Sequence, residues 1–322
     1  MFPSASLRTR IWKKLMDTSD EWITQRSGIK ERRWVTSEQN TTDLAYEATQ
    51  IALQDAGVTA KDLDLIIFAT LSADMFFPGS GVLLQDRLGI PGVPAIDIRQ
   101  QCSGFVYGLS IADQYVKSGA AKNILLVGSE VHSKGLDKTT RGRDVTVLFG
   151  DGAGAAVIGV TDDKNKGVYS THLHADGRGA RNLCVPAPGS AIEGDEWLSP
   201  AILESGLQYP YMEGKKVFVE AVTRMSEVVL EGLKANDLTV SQIDLFFFHQ
   251  ANLRINAAVA QNLQIPPEKV FNTIEKFGNT TAATIPLGMF EAKKAGVLKP
   301  GMRVGLAAFG SGYTWGSAFL NY

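Results

Sequence analysis

Two kinds of apolar stretch alternate along the first half of the chain. Some have the spacing of a helix with one apolar face, and others are short continuous runs typical of buried strands. Strands that alternate with helices predict an α/β protein whose parallel sheets are covered on both faces. The predicted helices cover residues 43–56, 80–88 and 105–117, and the predicted strands cover residues 63–69, 95–98 and 123–127.

The two halves of the sequence resemble each other weakly. The segment "LDLIIFAT" at 63–70 is matched by "IDLFFFHQ" at 243–250. Cys102 and Asn279 each precede a glycine by 17 positions, so we expect them at matching places, each at the entrance of a helix. A repeat this long is typical of duplicated halves that pack together. The seam falls in a polar turn, and the predicted halves are residues 1–163 and 164–322.

Composition narrows the possible partners. The 322 residues carry a formal net charge of −2, which indicates neither a nucleic-acid partner nor an anionic membrane. No apolar run reaches the roughly 18 residues of a membrane-spanning helix, and the N-terminal segment lacks the apolar core of a signal peptide. The two cysteines predict no disulfide framework, and no Cys-x-x-Cys pair indicates a metal. We expect a cytoplasmic protein with reduced thiols.

Cys102 lies at the corner between a predicted strand and a predicted helix. The unpaired N–H groups at a helix N-terminus lower the pKa of a thiol and favour the nucleophilic thiolate. A lone cysteine is more often a small buried apolar residue. His249 at the end of an apolar strand and Asn279 before the matching helix favour the chemical interpretation. If the halves pack about a two-fold axis, the three side chains meet at the carboxyl ends of the strands.

Seven segments in a fixed order span nearly the whole chain: "DTSDEWITQRSGIKER", "CSGFVYGLSIADQYVKSGA", "FGDGAGAAV", "STHLHADG", "HQANLRI", "FGNTTAATIP" and "FGSGYTWGSA". Together they resemble the β-ketoacyl-acyl-carrier-protein synthases III, a family of the thiolase fold. The resemblance implies two βαβαβαββ halves in a five-layer αβαβα sandwich. It also implies a homodimer and no cofactor, since acyl-CoA is a substrate.

The resemblance implies the initiating condensation of type II fatty-acid synthesis. Cys102 would attack an acyl-CoA thioester and hold the acyl group. Malonyl on an acyl carrier protein would then lose CO2, while His249 and Asn279 donate hydrogen bonds to the thioester oxygen as enolate charge develops. The carbanion would attack the acyl thioester to give 3-oxoacyl carrier protein. The backbone N–H groups of Cys102 and Ser311 would form the second oxyanion hole.

The CoA-binding residues are assigned by the resemblance alone. Trp22 and Arg141 would sandwich the adenine ring, since an indole and a guanidinium plane both stack on a base. Taken alone, each arginine is more often a solvated charge. The segment around Trp22 also contains Thr18-x-x-Glu21, a pattern that predicts a helix capping box. The positions expected along the tunnel mouth and the pantetheine path are Arg26, Asn252, Arg254, Gly214 and Phe218.

Phe77 lies on the loop after the first predicted strand. By the resemblance this loop crosses the dimer interface, and Phe77 floors the acyl pocket of the second subunit. Alternatively, Phe76 and Phe77 only pack the interface. Family members also begin with a strand before the segment that "FP" at 2–3 resembles. Here that strand is not evident, so we expect either a gap in the first sheet or its replacement by "SASLRTR".

Two other functions stay open at this point. One is a thiolase-fold sibling of secondary metabolism that uses a different acyl or acceptor group. The other is a binding module without catalysis, although the intact Cys102, His249 and Asn279 argue against it. His172 and His174 share one face of a predicted strand, as metal ligands could, but no third ligand is evident and we expect a structural role.

Overall fold

The computed structural model describes residues 6–163 and 166–322. Their strands are Ser6–Arg8 (β1), Glu31–Arg33 (β2), Leu65–Ala69 (β3), Ala95–Ile98 (β4), Asn123–Glu130 (β5), Gly152–Gly159 (β6), Gly167–Ala175 (β7), Leu183–Cys184 (β8), Tyr211–Met212 (β9), Leu245–Phe248 (β10), Arg303–Gly310 (β11) and Thr314–Asn321 (β12). Their α-helices are Asp20–Ser27 (α1), Thr41–Ala56 (α2), Ser80–Leu88 (α3), Gly104–Lys117 (α4), Arg143–Thr146 (α5), Pro200–Ser205 (α6), Gly214–Ala235 (α7), Leu253–Asn262 (α8), Ile274–Phe277 (α9) and Thr284–Lys294 (α10).

Two four-stranded sheets form the centre of the molecule, with the orders β4-β3-β5-β6 and β10-β11-β12-β7. Strands β3, β4 and β5 are parallel to one another, as are β10 and β11, whereas the remaining pairs are antiparallel. Helices α4 and α10 lie between the sheets. Helices α2 and α3 cover the outer face of the first sheet, and α7 and α8 cover that of the second. The five-layer αβαβα order is therefore confirmed.

Burial explains the apolar runs in the sequence. Every residue of β3 and β10 is buried, because helices cover both faces of each sheet. In the central layer, Leu109 of α4 and Ile285 of α10 pack with Leu126 and Phe247 of the two sheets in one apolar cluster. Since this cluster joins the sheets, it holds the ends of their strands in a fixed relation.

Two local predictions differ from the structure. The N-cap of α1 is Ser19, whose hydroxyl accepts the backbone N–H of Trp22, so Thr18 is not the capping residue. Strand β5 continues past residue 127 to Glu130, because the polar Ser129 and Glu130 are buried with the rest of the strand. The extension brings a carboxyl group to the end of an apolar strand.

The internal repeat has a different register from the predicted one. A 3-10 turn precedes each central helix, Gln101–Ser103 before α4 and Thr281–Ala283 before α10. The first residue of each turn has a positive φ, 44° in Gln101 and 49° in Thr281. Cys102 therefore matches Ala282 and not Asn279. The equal spacing to the following glycine arises because α10 has 11 residues and α4 has 14.

The edge of the first sheet beside β6 differs from the equivalent edge of the second. In the second sheet β7 pairs with β12 between α4 and α7. Within the described residues β6 has no such neighbour, and its edge borders a groove between α2 and α10.

Strand β1 pairs with β2 in a separate two-stranded sheet, so "SASLRTR" does not replace the expected strand. Phe2 and Pro3 lie outside the described residues, and the boundary between the halves stays a prediction.

No helix in the described parts of the chain is long and apolar enough to cross a membrane. Across the same residues, no cluster of His, Cys, Asp and Glu could hold a metal ion. His172 and His174 instead share Glu231 as a hydrogen-bond partner, at 3.3 Å and 2.6 Å.

Candidate active site

Residues that end or follow the parallel strands of both sheets meet in one crevice. The turn that carries Cys102 packs against β11 of the second sheet and against the turn Thr281–Ala283. Gly310, the last residue of β11, lies so close that a Cβ there would be 2.6 Å from the Cys102 Cβ. Asn279 accepts the backbone N–H of Thr281, the first residue of this second turn. His249 contacts the hydroxyl of Thr284, the residue that follows the turn. The crevice is thus built at the carboxyl ends of the strands.

Cys102 is a buried, unpaired thiol with 8% of its surface exposed. The backbone N–H groups of Cys102 and Ser311 both donate toward Sγ and favour the thiolate. Burial of the thiol outweighs these donors, and the negative charge of Glu130 acts in the same direction as burial. Together they raise the pKa of the Cys102 thiol to about 12. The predicted lowering of this pKa is therefore wrong, because desolvation of the thiolate outweighs the donors around it.

Glu130 is a fully buried carboxyl group that the sequence analysis did not select. It accepts hydrogen bonds from the Ser72 hydroxyl at 2.6 Å, the Thr70 hydroxyl at 3.1 Å and the Leu71 N–H at 3.2 Å. Burial still raises its pKa to about 7. The sequence signal was present, since an acidic residue ends the apolar run "NILLVGSE" just as His249 follows "DLFFF".

His249 follows β10 and is 2% exposed. Burial lowers its pKa to about 3, so the imidazole is neutral at physiological pH. Its Nδ1 lies 2.8 Å from the Thr284 hydroxyl, whereas Nε2 is buried without a hydrogen-bond partner within the described part of the chain. A buried ring nitrogen without a partner is costly, so this atom is available to a ligand in the crevice.

Asn279 is held so that its amide group can donate into the crevice. Its Oδ1 accepts the backbone N–H of Thr281 at 2.8 Å, which turns Nδ2 away from the turn. Its backbone is fixed between two residues of the first half, donating to the carbonyl of Leu148 at 2.9 Å and accepting from the N–H of Gly150 at 3.0 Å. The side chain is 5% exposed.

The residues expected to bind CoA form a surface region beside α1 and α8. Asn252 caps α8 by accepting the Arg254 N–H, and it donates to the Arg26 carbonyl, both at 2.9 Å. The Arg254 guanidinium lies 5.7 Å from the ring centre of Phe218, in the first turns of α7 that begin at Gly214. The structure therefore brings these five positions together.

The guanidinium of Arg141 contacts residues other than Trp22. It bonds to Asp137 at 2.6 Å and lies over the ring of Tyr209. The guanidinium groups over the Trp22 ring are instead those of Arg26 at 4.5 Å and Arg143 at 4.9 Å. The sandwich with Arg141 stays a prediction, and Arg143 is a neighbour of Trp22 that the sequence analysis missed.

Phe77 lies on the surface of its own subunit. It is 76% exposed, contacts Phe76 edge to face, and Phe76 in turn lies 5.0 Å from Trp197. These aromatic residues and Met75 form an exposed apolar surface, which we call the loop-76 patch. Such a patch is typical of an interface with another molecule.

Comparison with known proteins identifies the family. Two family models match, described as 3-oxoacyl-[acyl-carrier-protein] synthase III over residues 96–177 and as its C-terminal part over residues 233–322. The β-ketoacyl-[acyl-carrier-protein] synthase III 1 of Vibrio parahaemolyticus is 43% identical over 310 residues, which cover 96% of this chain and 93% of that protein. The β-ketoacyl-[acyl-carrier-protein] synthase III of Xanthomonas campestris is 44% identical over 320 residues, 99% of this chain and 95% of that one. The chain belongs to the β-ketoacyl-acyl-carrier-protein synthase III family.

A solved structure confirms the fold of this family member. The 3-oxoacyl-[acyl-carrier-protein] synthase III of Aquifex aeolicus VF5 superposes with a TM-score of 0.90 at 40% identity, covering 100% of this chain and 97% of that one. The resemblance stated from the sequence, the thiolase fold and the acyltransferase activity of a condensing enzyme that initiates fatty-acid synthesis are confirmed. The roles of the individual residues are a separate question.

Proposed function

We propose that Cys102 takes an acyl group from acyl-CoA and that His249 and Asn279 drive its decarboxylative condensation with malonyl-acyl carrier protein. The observation that carries this proposal is the division of donors around the crevice. Two backbone N–H groups point at the Cys102 thiol. In the second half, His249 Nε2 has no hydrogen-bond partner among the described residues, and Asn279 is held by its Oδ1, which leaves Nδ2 to donate. The backbone N–H groups suit the oxygen of the acyl thioester on Cys102, and the side-chain nitrogens suit the oxygen of the malonyl thioester.

In the first half-reaction the Cys102 sulfur attacks the acyl-CoA carbonyl carbon. The N–H groups of Cys102 and Ser311 bind the oxyanion of the tetrahedral intermediate, where such donors stabilise charge most. The carbon–sulfur bond to CoA then breaks, and the proton lost by Cys102 leaves on the CoA thiol. Because the pKa of the free thiol is raised to about 12, the thiolate is scarce and strongly nucleophilic.

In the second half-reaction the bond between the malonyl carboxylate and its α-carbon breaks and releases CO2. The electron pair moves into an enolate whose oxygen is bound by His249 Nε2 and Asn279 Nδ2. The α-carbon then attacks the acyl thioester, and the Cys102 thiolate leaves and takes one proton from solvent. A neutral imidazole can fill this role because it has to donate one hydrogen bond and need not transfer a proton.

The direct test is the complete reaction with purified protein. Acetyl-CoA and malonyl-acyl carrier protein should give 3-oxobutyryl-acyl carrier protein, free CoA and CO2 in equal amounts, as measured by mass spectrometry and a thiol assay. Mass spectrometry of the protein after acetyl-CoA alone should show one acetyl group, on Cys102. An acetyl group elsewhere, or CO2 release without a condensed product, would contradict the proposal.

Thr284 decides which nitrogen of His249 carries the proton. Its hydroxyl reaches both His249 Nδ1 and the Thr281 carbonyl, at 2.8 Å and 2.9 Å. The proposed role of His249 needs the Thr284 hydroxyl to turn its single proton from the Thr281 carbonyl to Nδ1, which leaves the ring proton on Nε2. The carbonyl then keeps the backbone N–H of Thr284 as its donor. We expect Thr284→Val to slow malonyl decarboxylation by about tenfold, since one hydrogen bond of about 1 kcal/mol is lost with the preferred tautomer. Thr284→Ser keeps the hydroxyl and should retain most of the rate.

Arg254 offers a positive charge at the tunnel mouth for the phosphate or acidic surface of the carrier protein. We expect Arg254→Glu to raise the KM for malonyl-acyl carrier protein roughly tenfold, and the KM for acyl-CoA much less, because the carrier presents the larger charged surface. Added salt should weaken the wild-type interaction in the same way. Lys234→Glu is the matched control, since Lys234 lies about 24 Å further along α7 than Phe218. Equal effects on both substrates would point to a structural arginine.

We further propose that the chain works as a homodimer through β4 and the loop-76 patch. Strand β4 is an edge strand of the first sheet, and within the described residues its outer side has no strand partner. Exposed edges and apolar patches are normally covered in a stable protein. Light scattering at chromatographic elution should give the mass of two chains, and a monomer would reject this proposal.

In such a dimer Phe77 would reach the acyl pocket of the second subunit and limit primer length. Each CH2 that the ring excludes forfeits roughly 0.8 kcal/mol of burial, before any clash. We expect acetyl to butyryl primers to be preferred over octanoyl, and Phe77→Thr to relax the limit. The measurement is kcat/KM for acetyl-, hexanoyl- and decanoyl-CoA. A wild-type preference for decanoyl-CoA, or an unchanged profile in Phe77→Thr, would leave Phe77 with an interface role only.

The same proposal places the enzyme in the cytoplasm and assigns it no cofactor, since acyl-CoA enters as a substrate. Both cysteines are free thiols, which suits a reducing compartment. The sibling function in secondary metabolism is not favoured, because the relatives at 43% and 44% identity are synthases III. The binding-module alternative is excluded by the family, which is one of condensing enzymes.

A further inference from the structure

His132 is a second histidine at the active-site crevice, beside His249, and none of the roles described above uses it. It follows β5 as His249 follows β10, and it is 7% exposed. Its ring packs against that of Phe149, with 4.7 Å between the ring centres. Its Nε2 lies 2.6 Å from the Thr281 hydroxyl oxygen. The bond joins the first half of the chain to the turn Thr281–Ala283, which bonds directly to Asn279.

Thr281 occupies a backbone conformation that a β-branched residue rarely adopts. Its φ of 49° lies in the left-handed region, where the branched side chain is strained. Such a conformation persists only where the surroundings enforce it. Two hydrogen bonds do so here, one from the Thr281 N–H to Asn279 Oδ1 at 2.8 Å and one between its hydroxyl and His132.

The same turn orients both donors of the condensation step. The Thr281 N–H fixes the amide of Asn279, and the Thr281 carbonyl accepts the backbone N–H of Thr284, whose hydroxyl oxygen contacts His249. Relaxation of Thr281 toward an ordinary φ would turn its N–H away from Asn279 and shift Thr284. Catalytic donors misplaced by about 1 Å can lose on the order of a hundredfold in rate.

We propose that His132 is a positioning residue for decarboxylation, which acts through Thr281 to hold Asn279 and His249 in their donating orientations. The inference rests on the roles proposed for Asn279 and His249. Burial lowers the pKa of His132 to about 3, and the positive charge that His249 would gain on protonation acts in the same direction. The ring is therefore neutral in the working pH range, and the bond to Thr281 does not change with pH there.

The test separates the two half-reactions in the full-length enzyme. Acylation of Cys102 by acetyl-CoA is followed by mass spectrometry, and decarboxylation by CO2 release from malonyl-acyl carrier protein labelled in its free carboxylate. We expect His132→Leu to lower decarboxylation about 10- to 100-fold and to change acylation by less than about twofold. Thr281→Val removes the hydroxyl but keeps the branched side chain, and it should cause the same loss. The double variant should be no slower than either single variant, because both remove one bond.

Rescue and control variants distinguish positioning from a general loss of structure. His132→Gln offers an amide group to the Thr281 hydroxyl and should recover most of the decarboxylation rate. His174→Gln, a change of a 41% exposed side chain on β7, should alter neither half-reaction. Normal decarboxylation in His132→Leu would overturn the proposal. So would a parallel fall of acylation, decarboxylation and melting temperature, or a folded His132→Gln that is as slow as His132→Leu.

Asn279→Ala in the same assay distinguishes a failure of the positioning role of His132 from a failure of the proposed role of Asn279. If Asn279→Ala decarboxylates at the wild-type rate, the proposed role of Asn279 is wrong, and the inference about His132 is wrong with it. If Asn279→Ala is inactive in decarboxylation while His132→Leu is normal, the proposed function stands and only the positioning role is rejected.

Discussion

His249→Ala and Asn279→Ala should each leave acylation of Cys102 intact and stop decarboxylation of malonyl-acyl carrier protein. In the proposed mechanism the two side chains donate where enolate charge develops, and loss of one such donor removes about 2.7–4 kcal/mol of transition-state stabilisation, or 100- to 1,000-fold in rate. Acylation relies on the separate N–H groups of Cys102 and Ser311, which both point at the thiol. Cys102→Ser should instead abolish acylation, because it removes the thiolate that attacks the thioester.

The measurement is a pair of single-turnover assays on each variant, one for acetyl transfer to the protein and one for labelled CO2. Gln250→Ala would be an unsuitable control, since its side chain bonds to the backbone of Thr273 and Ile274. Gln261→Ala on the surface of α8 is a better one and should behave as wild type. Release of CO2 at the wild-type rate by both His249→Ala and Asn279→Ala would show that enolate stabilisation lies elsewhere.

Gly310→Ala should inactivate the enzyme at the acylation step. A methyl group there would lie 2.6 Å from the Cys102 Cβ, 3.0 Å from its backbone N and 3.2 Å from Sγ. The two nearest atoms, Cβ and the backbone N, move only with the backbone, so either the turn that carries Cys102 or the end of β11 has to move. The displacement separates Sγ from the Cys102 and Ser311 N–H groups, and a shift of about 1 Å can lower the rate on the order of a hundredfold.

Overpacking of this kind also destabilises the fold by about 1–3 kcal/mol, so the melting temperature has to be measured with the acylation rate. Gly177→Ala is the matched control, because no atom lies within 4 Å of a Cβ added there and its φ is not positive. If Gly310→Ala acylates at the wild-type rate while folded, the close approach seen here does not constrain the nucleophile.

The sequence predicts those residues of the candidate site that lie beside the ends of strands or the starts of helices. Cys102, His249 and Asn279 each follow or precede an element that an apolar pattern marks, and the carboxyl ends of parallel strands meet at one edge of a sheet. Glu130 follows the same rule and was missed because the predicted strand ended at residue 127. Thr284 and His132 act through hydrogen bonds to residues distant in sequence, for which no local pattern exists.

The pKa of Cys102 shows the limit of local reasoning. Its position before α4 is a local property and predicts a stabilised thiolate. Burial beneath β11 and the charge of Glu130 are properties of the assembled sheets, and they raise the pKa instead. For Trp22, the neighbour Arg26 lies one turn further along α1, whereas Arg143 comes from a distant part of the chain that no local pattern connects to it.

By itself, the sequence determined the α/β class, the five layers and the family, and it predicted the three residues to which we assign the chemistry. It could do so because apolar periodicity and turn residues act over short stretches of chain, and because the seven family segments stand in order. Only the tertiary structure decided the register of the repeat, the strained turn at Thr281 and the ionisation of the buried groups. These depend on desolvation and on contacts between atoms that the chain brings together from both halves, and no short stretch of sequence contains that information.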